Sequence, residues 1–264
     1  MDDEPRVDVS VDDGIARLTL VNPARKNAIT LSMTDQIGEF CQMVETDESV
    51  GAVIVDAAGN YFCSGADTRD LAASSEAPAS PEAVARTSAV YGSFVKLGTL
   101  PVPTVALVKG GAVGAGLNLA LAADVMLVTP DAVLDSGFLA RRIHPGGGHL
   151  RLLGRSLGYQ QAVAMAAFGA ALSAEEAVAR GLAWRTAPAE ELLDIAVDLC
   201  RLPAADPELA RRIKRSATIE LEDPGLSWSA AVEVERGVQM WSLGRKGSQA
   251  WERKPAVPTS AVPS

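Results

Sequence analysis

A chain of 264 residues, 48% hydrophobic and 22% charged, is long and apolar enough for one sizeable core, with or without a helical appendage. A net charge of −9 has the wrong sign for a sequence-independent nucleic-acid binder, and no run approaches the ~20 apolar residues of a membrane span. The acidic start MDDEPRVDVS does not read as a secretory signal, and three widely spaced cysteines, Cys41, Cys63 and Cys200, suit free thiols in a reducing cytoplasm, the expected location.

In chain order, RVDVSVDDGIARLTLVNP predicts two alternating strands joined by a turn at Asp13-Gly14. TLSMTDQIGEFCQMVETD predicts a helix with Leu31, Ile37, Phe40 and Val44 on one face. GAVIVDAA is a short apolar strand suited to burial on both faces. SSEAPASPEA reads as a loop, followed by a helix from about Pro81 to Leu97. PTVALV, DVMLVT and AVLDS are three further short strands. Alternating strands and helices of this kind predict parallel β-α-β units and an α/β fold. From about Gly147 the chain turns mostly helical, with Ser173 and Glu176 spaced as a capping box and Gly181 placed as a C-cap. The helical end reads as a separate lobe or an oligomerisation arm.

KGGAVGAGLNLALAAD, from Lys109 to Asp124, opens a helix on glycines, each costing about 1 kcal/mol relative to alanine. A helix N-terminus stripped of side chains lets a ligand oxygen reach its unpaired N–H groups. Close helix packing explains the same residues equally well. The spacing fits neither a Walker loop nor a dinucleotide-binding turn. A second segment, GNYFCSGADTRDL from Gly59 to Leu71, also follows a buried strand and places Ser64-Gly65-Ala66 before a helical turn. Two such termini converging on one point would offer two backbone donors to one oxygen, the geometry of an oxyanion hole.

With NPARKNAIT and HPGGGHLRLLG, these segments resemble, in order and spacing, the crotonase or enoyl-CoA hydratase/isomerase superfamily, over about Val7 to Met240. The resemblance implies a crotonase-like spiral of β-β-α turns over residues 1–195. It implies a C-terminal helical trimerisation region over 196–264, whose last ~10 residues, rich in Pro, Ala and Ser, read by composition as a disordered tail. It implies an acyl-CoA thioester as substrate, with coenzyme A part of that substrate and no other cofactor or metal. It also implies a homotrimer or homohexamer, for which Leu226, Trp228, Val232 and Trp241 are apolar candidates. By match to the motifs, the oxyanion donors are the N–H groups of Ala66 and Ala115. Substrate-facing positions on the same motifs are Arg25, Lys26, Ala28, Ser64, Asp67, Thr68, Val113 and Gly114, with Arg25 and Lys26 near the coenzyme A phosphates.

Hydratases of the family use two glutamates. The positions that match them here are Asn118, three residues after Ala115, and Phe138, seven before Pro145. An amide can orient a water but not deprotonate it, and a phenyl ring can only shape and dry a pocket. His144 is a substitute acid–base group if it is not simply a turn histidine, and Asp135 if it does not simply end a strand. His149 reads as a core residue, Asp67 as a helix cap, Cys63 as packing, and Arg141 and Arg142 as solvated or phosphate-facing. Two functions stay open: an enzyme of another crotonase chemistry, such as isomerisation, hydrolysis or decarboxylation, and a non-catalytic acyl-CoA binder.

Overall fold

The computed structural model describes residues 4–221 and 227–251. Asp13 and Gly14 take positive φ, 46° and 77°, as a two-residue hairpin requires, and join β1 (Arg6–Asp12) antiparallel to β2 (Ile15–Val21). The Thr30 hydroxyl accepts from Met33 N–H and starts α1 (Leu31–Thr46), which buries Met33, Ile37, Phe40, Cys41 and Val44. Met33 thus takes the place on the buried face expected for Leu31, which is only half-buried. β3 (Ala52–Ala57) is buried throughout, and its Asp56 carboxylate is paired with Arg17 and Lys109.

The expected loop at SSEAPASPEA is largely helical. α2 (Thr68–Glu76) runs through Ser74 and Ser75, and α3 (Pro81–Gly98) begins five residues after it ends. Ser74 and Ser75 are buried there because their hydroxyls donate to the carbonyls of Asp70 and Leu71 one turn back. That local hydrogen bond is what a composition-based reading of a serine cluster misses.

Then come β4 (Thr104–Val108), β5 (Gly111–Val113), α4 (Ala115–Ala122), β6 (Val125–Val128), β7 (Val133–Asp135) and α5 (His149–Phe168), which breaks at Gly158. β8 (Leu172–Ser173), α6 (Ala174–Ala179, with the expected capping box) and β9 (Arg185–Thr186) follow. The chain goes on to α7 (Leu192–Ala205), α8 (Pro207–Leu221) and α9 (Trp228–Lys246). The main sheet has the order β1-β2-β3-β4-β6-β9, parallel except for the first hairpin, and a second sheet has the order β5-β7-β8. β4, β5 and α4 form one turn, and β6, β7 and α5 the next. Each turn gives one strand to each sheet and then a helix, so the fold is the expected spiral of β-β-α turns.

The expected division at residue 195 falls inside α7. Leu192, Ala196 and Cys200 of that helix pack on Ile54, Leu107 and Leu127 of the main sheet, so α7 belongs to the core. The last helix is no detached arm either. Val232 is buried in the main core, and Met240 and Leu243 pack with Phe138 and Ile143. The Trp228 indole lies where a β-carbon on Gly98 would sit, 2.3 Å from that position. Of the four apolar residues expected at an oligomer interface, Val232 is therefore buried within the chain, Trp228 is half-buried, and Trp241 is exposed. Leu226 and the expected disordered tail lie outside the described residues. Among the described residues no helix is long and apolar enough to cross a membrane.

Candidate active site

The Gly/Ala segment at the end of β5 serves two purposes at two positions. A β-carbon on Gly116 would sit 2.4 Å from the Cys63 carbonyl oxygen, so packing alone demands glycine there. Gly114, with φ 56° and ψ −118°, is the N-cap of α4 in a conformation that side-chain-bearing residues avoid. Its N–H donates to the Asp135 carbonyl at 3.1 Å, tying the start of α4 to the end of β7. Ala115 is the first residue of α4, so its N–H has no intrahelical acceptor.

The other segment reaches the same place from a different strand. Ala66 forms an isolated parallel bridge with Ile29, in which Ile29 N–H donates to the Gly65 carbonyl and Asp67 N–H to the Ile29 carbonyl. In such a bridge the N–H of Ala66 itself faces away from Ile29. Among the described residues neither Ala66 N–H nor Ala115 N–H meets a protein acceptor. Both residues line one pocket of about 100 Å³, whose apolar wall includes Leu71, Val90, Phe138 and Ile143.

Asn118 lies one turn into α4, on the wall of this pocket, with a partner at each end of its amide. Its Nδ2 donates to the Gly146 carbonyl at 3.0 Å, and its Oδ1 is 2.6 Å from His149 Nδ1. A carbonyl can only accept, so Gly146 fixes which way the amide points. The amide oxygen then faces the imidazole, and His149 carries its proton on Nδ1. That leaves Nε2 as an acceptor, and the Ser136 hydroxyl is 2.8 Å from it and donates to it. Burial pushes the His149 imidazole down to about 3, so the ring is neutral. The Phe138 ring packs edge-on against it, 4.9 Å between centroids. Ser136 itself is in the lining of the pocket.

The other sequence candidates divide between the pocket and its frame. Ser64, Thr68, Val113, Gly114, Phe138 and Arg141 line the pocket. Asp67 caps α2 through Arg69 N–H, and its carboxylate pairs with Arg69 at 2.8 Å and Arg25 at 3.3 Å. Burial pushes this carboxyl up, but the Arg69 hydrogen bonds and the Arg25 charge outweigh it and hold it below the ordinary carboxylate range. Arg25 is thus engaged by Asp67 and Thr68, and Lys26 stacks its ammonium 4.8 Å from the Tyr61 ring. Neither they nor Ala28, which is buried, is among the described lining residues.

His144 turns to its own loop, with Nδ1 2.7 Å from the Pro145 carbonyl, and is absent from the described lining. Asp135 accepts from Gly137 N–H at 2.9 Å in a turn of its own, with its carboxyl pushed up by burial. Neither is placed as the acid–base group expected of it. Arg142 is exposed at the end of a 3-10 turn. Burial pushes the Cys63 thiol up to about 12, which keeps it unreactive, in agreement with a packing role. Among the described residues no group of three or more His, Cys, Asp or Glu side chains is placed to hold a metal.

The sequence profile of the enoyl-CoA hydratase/isomerase family matches residues 10–251. The chain belongs to this family. It is 42% identical over 199 residues, 75% of each chain, to a probable enoyl-CoA hydratase, EchA14, of Mycobacterium tuberculosis H37Rv. It is 31% identical over 230 residues, 87% of each chain, to the 1,2-epoxyphenylacetyl-CoA isomerase of Escherichia coli K12. A crystal structure of an enoyl-CoA hydratase/isomerase from Xanthobacter autotrophicus Py2 superposes with a TM-score of 0.80 at 27% identity, covering 93% of this chain and 95% of that one.

For an enoyl-CoA hydratase/isomerase family chain, the Ser136–His149 pair is the feature that sequence reading missed. The available signal was slight: a serine before a glycine at a strand end, and a histidine at the first position of the next helix.

Proposed function

We propose that this chain binds an acyl-CoA thioester with its carbonyl oxygen between the N–H groups of Ala66 and Ala115. Two backbone donors without protein acceptors, brought by separate small-residue segments to one apolar pocket, carry this reading. Such donors stabilise negative charge on the oxygen when a proton leaves the α-carbon or a nucleophile adds to the thioester. Each is worth about 2.7–4 kcal/mol in a site of this type. The 1,2-epoxyphenylacetyl-CoA isomerase and the probable hydratase named above support a coenzyme A thioester as the substrate class.

Ordinary enoyl-CoA hydration is not the activity we assign. Hydration needs a base for the incoming water, and the two matching positions offer an amide and a phenyl ring. Asn118 donates to the Gly146 carbonyl and faces His149 with its oxygen, and an amide cannot deprotonate a water. The same reading includes a homotrimer or homohexamer, favoured by the exposed Tyr159, Phe168, Trp184 and Trp241. It also includes a cytoplasmic location, favoured by three free buried cysteines. Calorimetry with butyryl-CoA and free coenzyme A tests the central claim. The thioester is expected to bind at least tenfold more tightly, and equal affinities would refute it. Light scattering at micromolar concentration tests the assembly, and a monomer mass would refute that part.

A further inference from the structure

We propose that Ser136, His149 and Asn118 form a nucleophile, a base and a positioning residue that move the acyl group of an acyl-CoA thioester first to the Ser136 oxygen and then to water. The proposal rests on the carbonyl-binding reading above and adds a hydrolytic reaction to it.

The three side chains form one hydrogen-bonded line, 2.8 Å from Ser136 Oγ to His149 Nε2 and 2.6 Å from His149 Nδ1 to Asn118 Oδ1. A nucleophile, a base in contact with it and a third group holding the base in its working tautomer are the parts of a serine-hydrolase triad, recognised by roles and not by sequence order. An amide in the third position is productive only if its oxygen faces the histidine. The Gly146 carbonyl enforces that here by taking Nδ2 at 3.0 Å. The far end of the line is Ser136, a residue that lines the same pocket as Ala66 and Ala115. Its position relative to them is fixed through the backbone. Gly114 N–H holds the carbonyl of Asp135, the residue before Ser136, while the Asp135 carboxylate holds Gly137 N–H, the residue after it. The Phe138 ring packs edge-on against the imidazole, 4.9 Å between centroids, and helps hold its plane.

The step balances with water as the only co-reactant. Ser136 Oγ bonds to the thioester carbon as its proton passes to His149 Nε2, and the carbonyl oxygen becomes an oxyanion at Ala66 and Ala115. The C–S bond breaks and coenzyme A leaves as a thiol, taking the proton from Nε2. Water then adds to the acyl-serine with His149 accepting its proton. The C–Oγ bond breaks, the proton returns to Ser136, and a free carboxylic acid departs. Asn118 carries no charge to offset the imidazolium, so the reaction is slower than with a carboxylate in its place.

Acetyl-, butyryl- and hexanoyl-CoA are suitable probes, because a saturated chain has no double bond to hydrate. Release of coenzyme A thiol, intact-protein mass after rapid quench and binding by calorimetry are measured on the full chain, on Ser136→Ala and on Ser136→Cys. The expected result has three parts: thiol release that falls about 100-fold or more in Ser136→Ala, an acyl adduct mapped to residue 136 in the wild type and in Ser136→Cys, and thioester binding kept in all three. Binding of the probes without thiol release above that of Ser136→Ala, and without an adduct at residue 136, overturns this proposal and leaves the carbonyl-binding reading intact. Failure to bind thioesters better than free coenzyme A overturns both. If Ser136→Ala does not fold, the wild-type adduct decides alone.

Discussion

Two walls of one pocket are built by opposite means. The Ala66/Ala115 wall is made of backbone. The chemistry proposed for it rests on N–H groups that no side-chain change can delete, and glycine at 114 and 116 supplies conformation and clearance. The Asn118 and Ser136 wall, joined behind the lining by His149, is made of side chains on two helices and the turn after β7, each depending on the last for its orientation. The first wall depends on side chains only through the glycines that shape it. In the second, one substitution redirects every bond downstream. A fold can therefore keep its carbonyl site while its proton chemistry changes.

The sharpest way to separate the two walls is to ask for hydration. One positioned acid–base group contributes about 10²–10⁴-fold, so wild-type conversion of crotonyl-CoA to 3-hydroxybutyryl-CoA, followed by mass, should lie at least that far below an ordinary hydratase. Asn118→Glu with Phe138→Glu should raise the rate, and either alone should do less. The gain is limited because a glutamate in the buried Phe138 site is pushed towards its neutral form. A wild-type rate of ordinary size would show that another group handles the water.

The backbone wall breaks through conformation. Gly114→Ala forces a β-carbon into a φ/ψ region that costs about 1–3 kcal/mol, and a displaced Ala115 donor loses about 10²–10³-fold in turnover. Thermal unfolding and thioester binding should both register it.

The side-chain wall should show in the pH dependence of stability. With the folded His149 held down to about 3, the unfolded chain binds a proton there between about pH 6.5 and 3 that the folded chain does not. Falling pH then destabilises the fold by up to about 1.4 kcal/mol per unit from this group. Asp67, held low, acts in the same direction at lower pH, and Asp135, pushed up by burial, opposes both. Urea unfolding at several pH values should show a steeper loss for the wild type than for His149→Gln.

The smallest effect belongs to Arg25→Ala. Its guanidinium is 35% exposed, and Asp67 keeps Arg69, so the loss should be below about 1 kcal/mol. Thioester affinity should barely change, because the arginine is held by Asp67 and Thr68. A large loss of affinity on its removal would return it to the coenzyme A groove.

What was legible in the sequence follows the same division. Strands and turns signalled by local pattern, such as the Asp13-Gly14 hairpin and β3, appear where expected. The two small-residue segments stood out as a local signal, and the match of their motifs to the family singled out Ala66 and Ala115 within them. Ser136, His149 and Asn118 were not read together, since 13 and 31 residues separate the bonded pairs and each residue alone is ordinary. Ser74 and Ser75 show a related failure. Their composition spoke for a loop, but bonds within the helix satisfied them.

The place of α9 has a consequence for synthesis. Gln239 lines the pocket, and Met240 and Leu243 back its Phe138 wall. The spiral that carries Ala66 and Ala115 leaves the ribosome before the helix that completes the cavity. A nascent chain thus has the Ala66 and Ala115 segments before it has Gln239 in the lining or Met240 and Leu243 behind Phe138, so the last side of the pocket closes only when α9 docks.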